Sequence, residues 1–158
     1  MKTLILSLLV LTLASVSYAQ NVNIPDVNFK SALISAGVDK NTDGEISYAE
    51  AEAITYLGVG NNNISDITGI EAFINLIYLE CNNNQLTSLD VSNSIGLWFL
   101  WCSNNQLTSL DVSNNAVLGA LVCNNNQLTS LDVSNNNALT ELDCSENQLT
   151  SLDLTNNT

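Results

Sequence analysis

Across 158 residues the chain carries sixteen acidic side chains against three lysines, with no arginine and no histidine, giving a formal charge of −13 at pH 7. A surface so poor in cations repels the phosphate backbone of nucleic acids, which is bound through Lys and Arg, and it repels anionic membranes. The missing histidine removes Ser-His-Asp and Cys-His catalysis and the usual zinc ligand sets.

Residues 1–19 read as an export signal. Lys2 supplies a positive start, Leu4 to Leu13 an apolar core, and Ser17-Tyr18-Ala19 the small residues for cleavage before Gln20. The apolar run is short for a membrane span and no second one follows. The expected product is secreted or held at the cell surface, with no membrane insertion after signal cleavage.

Pro25 favours a helix start. Phe29, Ala32, Leu33 and Ala36 then fall at i, i+3, i+4 and i+7, one apolar helix face. Gly37 supplies a C-cap, so the spacing predicts a helix over 26–36.

Next comes Asp39-Lys40-Asn41-Thr42-Asp43-Gly44-Glu45-Ile46-Ser47-Tyr48-Ala49-Glu50. D-x-N-x-D-G, five residues and then E is the twelve-residue EF-hand pattern, so 39–50 is an EF-hand-like loop. Calcium, a hard cation, wants six to eight oxygens. Asp39, Asn41 and Asp43 offer side-chain oxygens, Glu45 its backbone carbonyl, Ser47 a water-mediated contact and Glu50 both carboxylate oxygens. Gly44 permits the sharp turn. The competing reading is an Asx-rich turn with Glu50 capping a helix, because Ser47-x-x-Glu50 is also a capping box. A lone loop without a partner hand suits a structural clamp rather than a sensor. The loop is similar to that of dockerins, which use two copies.

From Ile54 onward one unit recurs. Cys81, Cys102, Cys123 and Cys144 sit 21 residues apart, as do Gln85, Gln106, Gln127 and Gln148. The frame L-x-x-L-x-C-x-x-N-x-L opens at Leu76, Leu97, Leu118 and Leu139, with a degenerate first coil from Ile54. A period of this length marks a solenoid, and this spacing is the leucine-rich repeat pattern. The chain resembles bacterial secreted leucine-rich repeat proteins. Its order of signal, short helix, acidic loop and repeats ending Leu-Thr-Ser-Leu-Asp-Val-Ser-Asn-Asn is similar to exported proteins of gliding and gut-dwelling bacteria.

The resemblance implies an α/β solenoid, with parallel strands on a concave face, mostly irregular convex returns and N-terminal helices capping the first coil. Residues 20–53 form the expected cap and 54–158 five coils, the last without a closing segment, as in a chain truncated at its C-terminus. The first, fourth, sixth and eleventh residues of each unit point inward: Leu97, Leu100, Cys102 and Leu107 in one coil. Strands about 4.8 Å apart hold stacked cysteines farther apart than the ~3.8 Å Cβ separation of a disulfide. Buried free thiols are therefore expected. The Asn84, Asn105, Asn126 and Asn147 column should bond turn backbone within and between coils. The Asp90, Asp111, Asp132 and Asp153 column should accept hydrogen bonds from nearby Ser, Thr or backbone N–H groups.

Positions two, three, five, seven and eight point outward from the strands and vary most. They gather Tyr78, Trp98, Phe99 and Trp101 beside Ile77 and Val122, with Glu80 and Asp143 at the rim. An exposed apolar patch of this kind marks a binding surface, and Trp and Tyr dominate interface hot spots. Trp101 is the expected anchor, whereas Trp98 at position two can fold into the core. The expected function is a non-enzymatic secreted or cell-surface module that binds a protein, or a glycan, through this face. The alternative is a structural spacer with a calcium-stabilised N-cap inside a larger exported protein.

Overall fold

The computed structural model describes residues 20–157. The expected signal at 1–19 lies outside the described residues. No helix within them is long and apolar enough to cross a membrane.

Two short helices come first. Helix α1 spans Val27–Ser35 and α2 spans Tyr48–Glu52. The start of α1 differs from expectation: Asp26, not Pro25, opens it as the N-cap, its side chain accepting from Asn28 and Phe29 N–H groups. A carboxylate satisfies two orphan amides there, which the proline ring cannot do. Phe29, Ala32 and Leu33 are buried as expected. Ala36 is exposed, because the helix has ended at Ser35 and Gly37 turns the chain at φ 76°. The capping box at α2 is complete, Ser47 and Glu50 satisfying each other's backbone N–H.

The lead-in residues are held against the acidic loop. Val22 N–H donates to Ile46 O at 2.8 Å and Tyr48 N–H to Gln20 O at 3.0 Å, an antiparallel bridge centred on Asn21 and Ser47. This pairing satisfies backbone groups in the middle of the loop, which would otherwise compete for water.

Five three-residue strands follow: β1 Tyr56–Gly58, β2 Tyr78–Glu80, β3 Phe99–Trp101, β4 Ala120–Val122 and β5 Glu141–Asp143. They pair in parallel, in sequence order, one per repeat. The chain is thus a parallel-strand solenoid. Strands this short suffice because each carries one wholly inward residue between two outward ones: Leu57, Leu79, Leu100 and Leu121 are buried and Leu142 half-buried.

The core runs the length of the stack. Leu97, Leu100, Cys102 and Leu107 are all fully buried, as their spacing requires. All four cysteines are free; Cys81, Cys102 and Cys123 are buried, and Cys144 is half-buried on the last coil. Burial pushes the Cys81 and Cys123 thiols up to about 12, so they behave as apolar filler. In the first return, Phe73 is fully buried just after the 3₁₀ turn Ile70–Ala72, whereas Ile74 is exposed.

Two polar ladders bind coil to coil. Asn105 Nδ2 donates to Cys81 O at 3.1 Å and Cys102 O at 3.0 Å, while its Oδ1 accepts from Leu86 N–H at 3.0 Å. Asn84, Asn126 and Asn147 repeat the arrangement. The second ladder lies on the return side and was not anticipated. Asn115 Nδ2 donates to Val91 O and Ser94 O, and Asn136 and Asn157 do the same one coil further on. The aspartate column is self-contained: Asp90, Asp111, Asp132 and Asp153 each accept the N–H two residues on, at 2.9 Å. Hydrogen bonds from the hydroxyls as well as the N–H groups of Ser92, Ser113, Ser134 and Thr155 hold their pKa values below the ordinary carboxylate range.

Candidate functional site

The register of the sheet sorts the outward residues into two rows. One runs Tyr56, Tyr78, Phe99, Ala120, Glu141; the other runs Gly58, Glu80, Trp101, Val122, Asp143. The strand face therefore brings together all seven expected ligand-contacting residues, with Trp98 beside the first row. Sequence reasoning left Tyr56 and Glu141 out of the site. Register was the missing signal, since both fall in line with Tyr78 and Phe99.

The aromatic rings form a continuous surface. Tyr78 meets Trp98 edge-on with ring centroids 5.7 Å apart, and lies 6.1 Å from Phe99 and 6.4 Å from Tyr56. Such contacts rigidify aromatic groups without removing them from solvent. Trp98 is 44% exposed and Tyr56 57%. An open depression of about 430 Å³ lies among Tyr56, Tyr78, Trp98 and Phe99, floored by Ala120 and edged by Glu80 and Glu141.

Trp98 does not fold into the core. Its indole lies over Gly119, where an added Cβ would fall on the ring at Nε1 and Cε2. Gly119, expected to face outward, is buried beneath that ring, and Ala120, expected likewise, is buried at the floor of the depression. Trp101, the expected anchor, is half-buried and donates through Nε1 to Ser103 Oγ. Position seven is a further correction. Asn82 and Ser103 are buried rather than outward, whereas Asn124 is half-buried and Ser145 exposed.

Carboxylates edge the face, and no cationic side chain stands on it. Of the two lysines among the described residues, Lys30 pairs with Glu45 at 2.6 Å and Lys40 sits in the acidic loop. Asp143 Oδ1 accepts from Ser145 Oγ at 2.6 Å and from Ser145 N–H at 3.1 Å, which lowers its pKa. Burial, and then the charge of Glu80, raises the Tyr56 hydroxyl.

The acidic loop assembles part of its expected ligand set. Asp39 Oδ2 accepts Gly44 N–H at 3.0 Å, Asn41 Oδ1 accepts Asp43 N–H and Asp43 Oδ1 accepts Glu45 N–H. Glu50 Oε1 accepts Lys40 N–H at 2.8 Å, drawing the two ends of the loop together. Ser47 is buried, its hydroxyl engaged with Glu50 Oε2. The Glu45 side chain turns away to Lys30. Gly44 takes φ 81°, as the central turn requires. Asp39 Oδ1 is a buried oxygen with no hydrogen-bond donor, which suits a hard cation. Among the described residues, no three His, Cys, Asp or Glu side chains converge by themselves as a metal-binding group.

Comparison with known proteins bears on the fold. No family model and no curated relative matches the chain. Among solved structures, the functional domain of InlJ from Listeria monocytogenes, which includes a cysteine ladder, is 42% identical with a TM-score of 0.82. The match covers 88% of this chain and 31% of that one. An internalin, inlF, from the same organism is 25% identical with a TM-score of 0.62, over 82% of this chain and 46% of that one. A leucine-rich repeat protein from Leptospira interrogans gives 25% and 0.62, over 69% of this chain and 30% of that one. The chain thus spans less than half the length of each of these structures, and its solenoid is similar to leucine-rich repeat proteins of the internalin type.

Proposed function

We propose that the chain is a binding module of an exported protein, and that it recognises a protein ligand through the strand face. The observation that carries this is the continuous surface of Tyr56, Tyr78, Trp98 and Phe99, laid across three coils with Phe99 half-buried and the other three exposed. A monomer gains nothing in stability by leaving Trp98 in water, where burying a large apolar side chain contributes roughly 1.5–3 kcal/mol. The likeness to internalin-type proteins supports adhesion or protein contact as the role. Residues 1–19 would direct export to the surface or the medium.

The N-terminal segment, residues 20–53, acts in this reading as a cap on the first coil, and loop 39–50 as a calcium clamp within it. Asp39, Asn41, Asp43, the Glu45 carbonyl and Glu50 would hold the ion, with Ser47 positioning Glu50. The unpartnered Asp39 Oδ1 supports this. Binding rather than catalysis is the activity proposed. Glu80 and Asp143 are three strands apart, about 14 Å, beyond the ~5–9.5 Å of glycosidase carboxylate pairs.

A displayed library of random peptides, panned on the immobilised chain, tests the function. Sequences enriched on the wild type and not on Trp98→Ala are expected. Equal enrichment on both, or none on either, would leave the chain as a spacer.

A further inference from the structure

The strand face is both aromatic and acidic, and that combination selects among protein ligands. Resting on the binding role proposed above, we infer that the face takes an extended peptide segment carrying two cationic side chains four residues apart, with an apolar residue between them.

The spacing follows from the register. Glu80, Trp101, Val122 and Asp143 lie in one row across β2 to β5. Three steps of about 4.8 Å separate the two carboxylates by roughly 14 Å. An extended chain rises about 3.3 Å per residue and turns every second side chain to the same face. Residues i, i+2 and i+4 of a peptide crossing the strands therefore span about 13 Å. Lysine or arginine at i and i+4 reaches Glu80 and Asp143, and an apolar residue at i+2 rests on Trp101 and Val122.

The neighbouring row strengthens the selection. Tyr78 and Trp98 present ring faces and edges beside Glu80, and Glu141 stands next to Asp143 on β5. Cations gain from aromatic faces as well as from carboxylates, whereas an acidic peptide meets repulsion from both rows. Charge is uncompensated on this face, because neither Lys30 nor Lys40 belongs to it. A neutral glycan can stack on the rings and donate its hydroxyls to the carboxylates, but it leaves their negative charge uncompensated.

The test uses the peptide acetyl-Gly-Lys-Thr-Leu-Thr-Lys-Gly-amide and the same peptide with both lysines acetylated, titrated into the full chain while tryptophan emission is followed. The basic peptide is expected to bind and to weaken as salt rises through 0.15 M. Glu80→Gln and Asp143→Asn are each expected to weaken it two- to fivefold, and the pair of substitutions together about tenfold, the sites being well separated. The acetylated peptide is expected to bind at least tenfold more weakly than the basic one. Equal binding of the two peptides, with loss of both in Trp98→Ala, would overturn the cationic selection and leave the binding face standing. A response to neutral oligosaccharide with none to either peptide would overturn the inference in favour of a glycan. No response to any probe would overturn it as well, and the library panning then decides the binding role separately.

Discussion

Asp26 fastens the first return of the solenoid through Ser65. Its Oδ2 accepts Ser65 N–H at 3.0 Å and Ser65 Oγ–H at 2.9 Å, while Oδ1 caps helix α1. One carboxylate thus joins the N-terminal helix to the repeats. Burial alone would raise its pKa, but the bonds from Phe29, Ser65 and Asp66 outweigh that and set it at about 2, below the ordinary 3.8. A depressed carboxylate binds fewer protons folded than unfolded, so its stabilisation is present above pH ~4 and is lost as pH falls toward 2. Melting temperatures between pH 2 and 5 should fall more steeply in the wild type than in Asp26→Asn. Parallel curves would mean that the carboxylate contributes nothing.

Leu100 is fully buried in the middle coil. Leu100→Ala should cost about 2–5 kcal/mol through lost transfer energy and the cavity left behind. Each coil rests only on its neighbours, so the loss spreads along the stack. Urea unfolding should show it, while Thr108→Ala, exposed on the same coil, should stay within about 0.5 kcal/mol.

The fold was legible in the sequence because the 21-residue period repeats one inward pattern, and Leu97, Leu100, Cys102 and Leu107 are buried where it places them. The Asn105 ladder was legible for the same reason. The Asn115, Asn136 and Asn157 ladder has the same period, but it hid among the many asparagines of the returns. Trp98 was left between face and core because its exposure depends on Gly119 one coil away, a relationship that no single repeat contains. Asp26 was missed because its partners Ser65 and Asp66 lie about forty residues along the chain.

Gly119 offers a way to disturb the site without touching it. Gly119→Ala places a methyl group where the indole now lies. The ring is at the end of an exposed side chain, so it should shift at little cost. Tryptophan emission is expected to move to longer wavelength with less than about 1 kcal/mol of lost stability. Unchanged emission would show that the indole does not rest there in solution.

The acidic loop is checked by heat. With a dissociation constant of 10⁻⁴–10⁻³ M, as in extracellular sites, 10 mM calcium adds roughly 1.4–2.7 kcal/mol. The wild type should melt several degrees higher in calcium than in chelator. Asp39→Asn should lose that rise and melt near the wild type in chelator. An equal rise in Asp39→Asn would place the calcium elsewhere.

The left-handed turn after each strand carries Asn83, Asn104 and Asn125 at φ 55°, but Glu146 at φ 51° in the last coil. Asparagine tolerates that conformation better than glutamate does. Glu146→Asn should raise the melting temperature by one or two degrees, and a fall would show that Glu146 makes a compensating contact.

Binding through the strand face is tested most directly by mapping one selected peptide onto two faces. A peptide enriched on the wild type is titrated against Trp98→Ala and against Ser113→Arg, the latter exposed on a return. Loss of about thirtyfold or more in Trp98→Ala, as for an interface hot spot, with no change in Ser113→Arg, is the expected result. Weakening by Ser113→Arg with Trp98→Ala unaffected would contradict the account and move the binding surface to the returns.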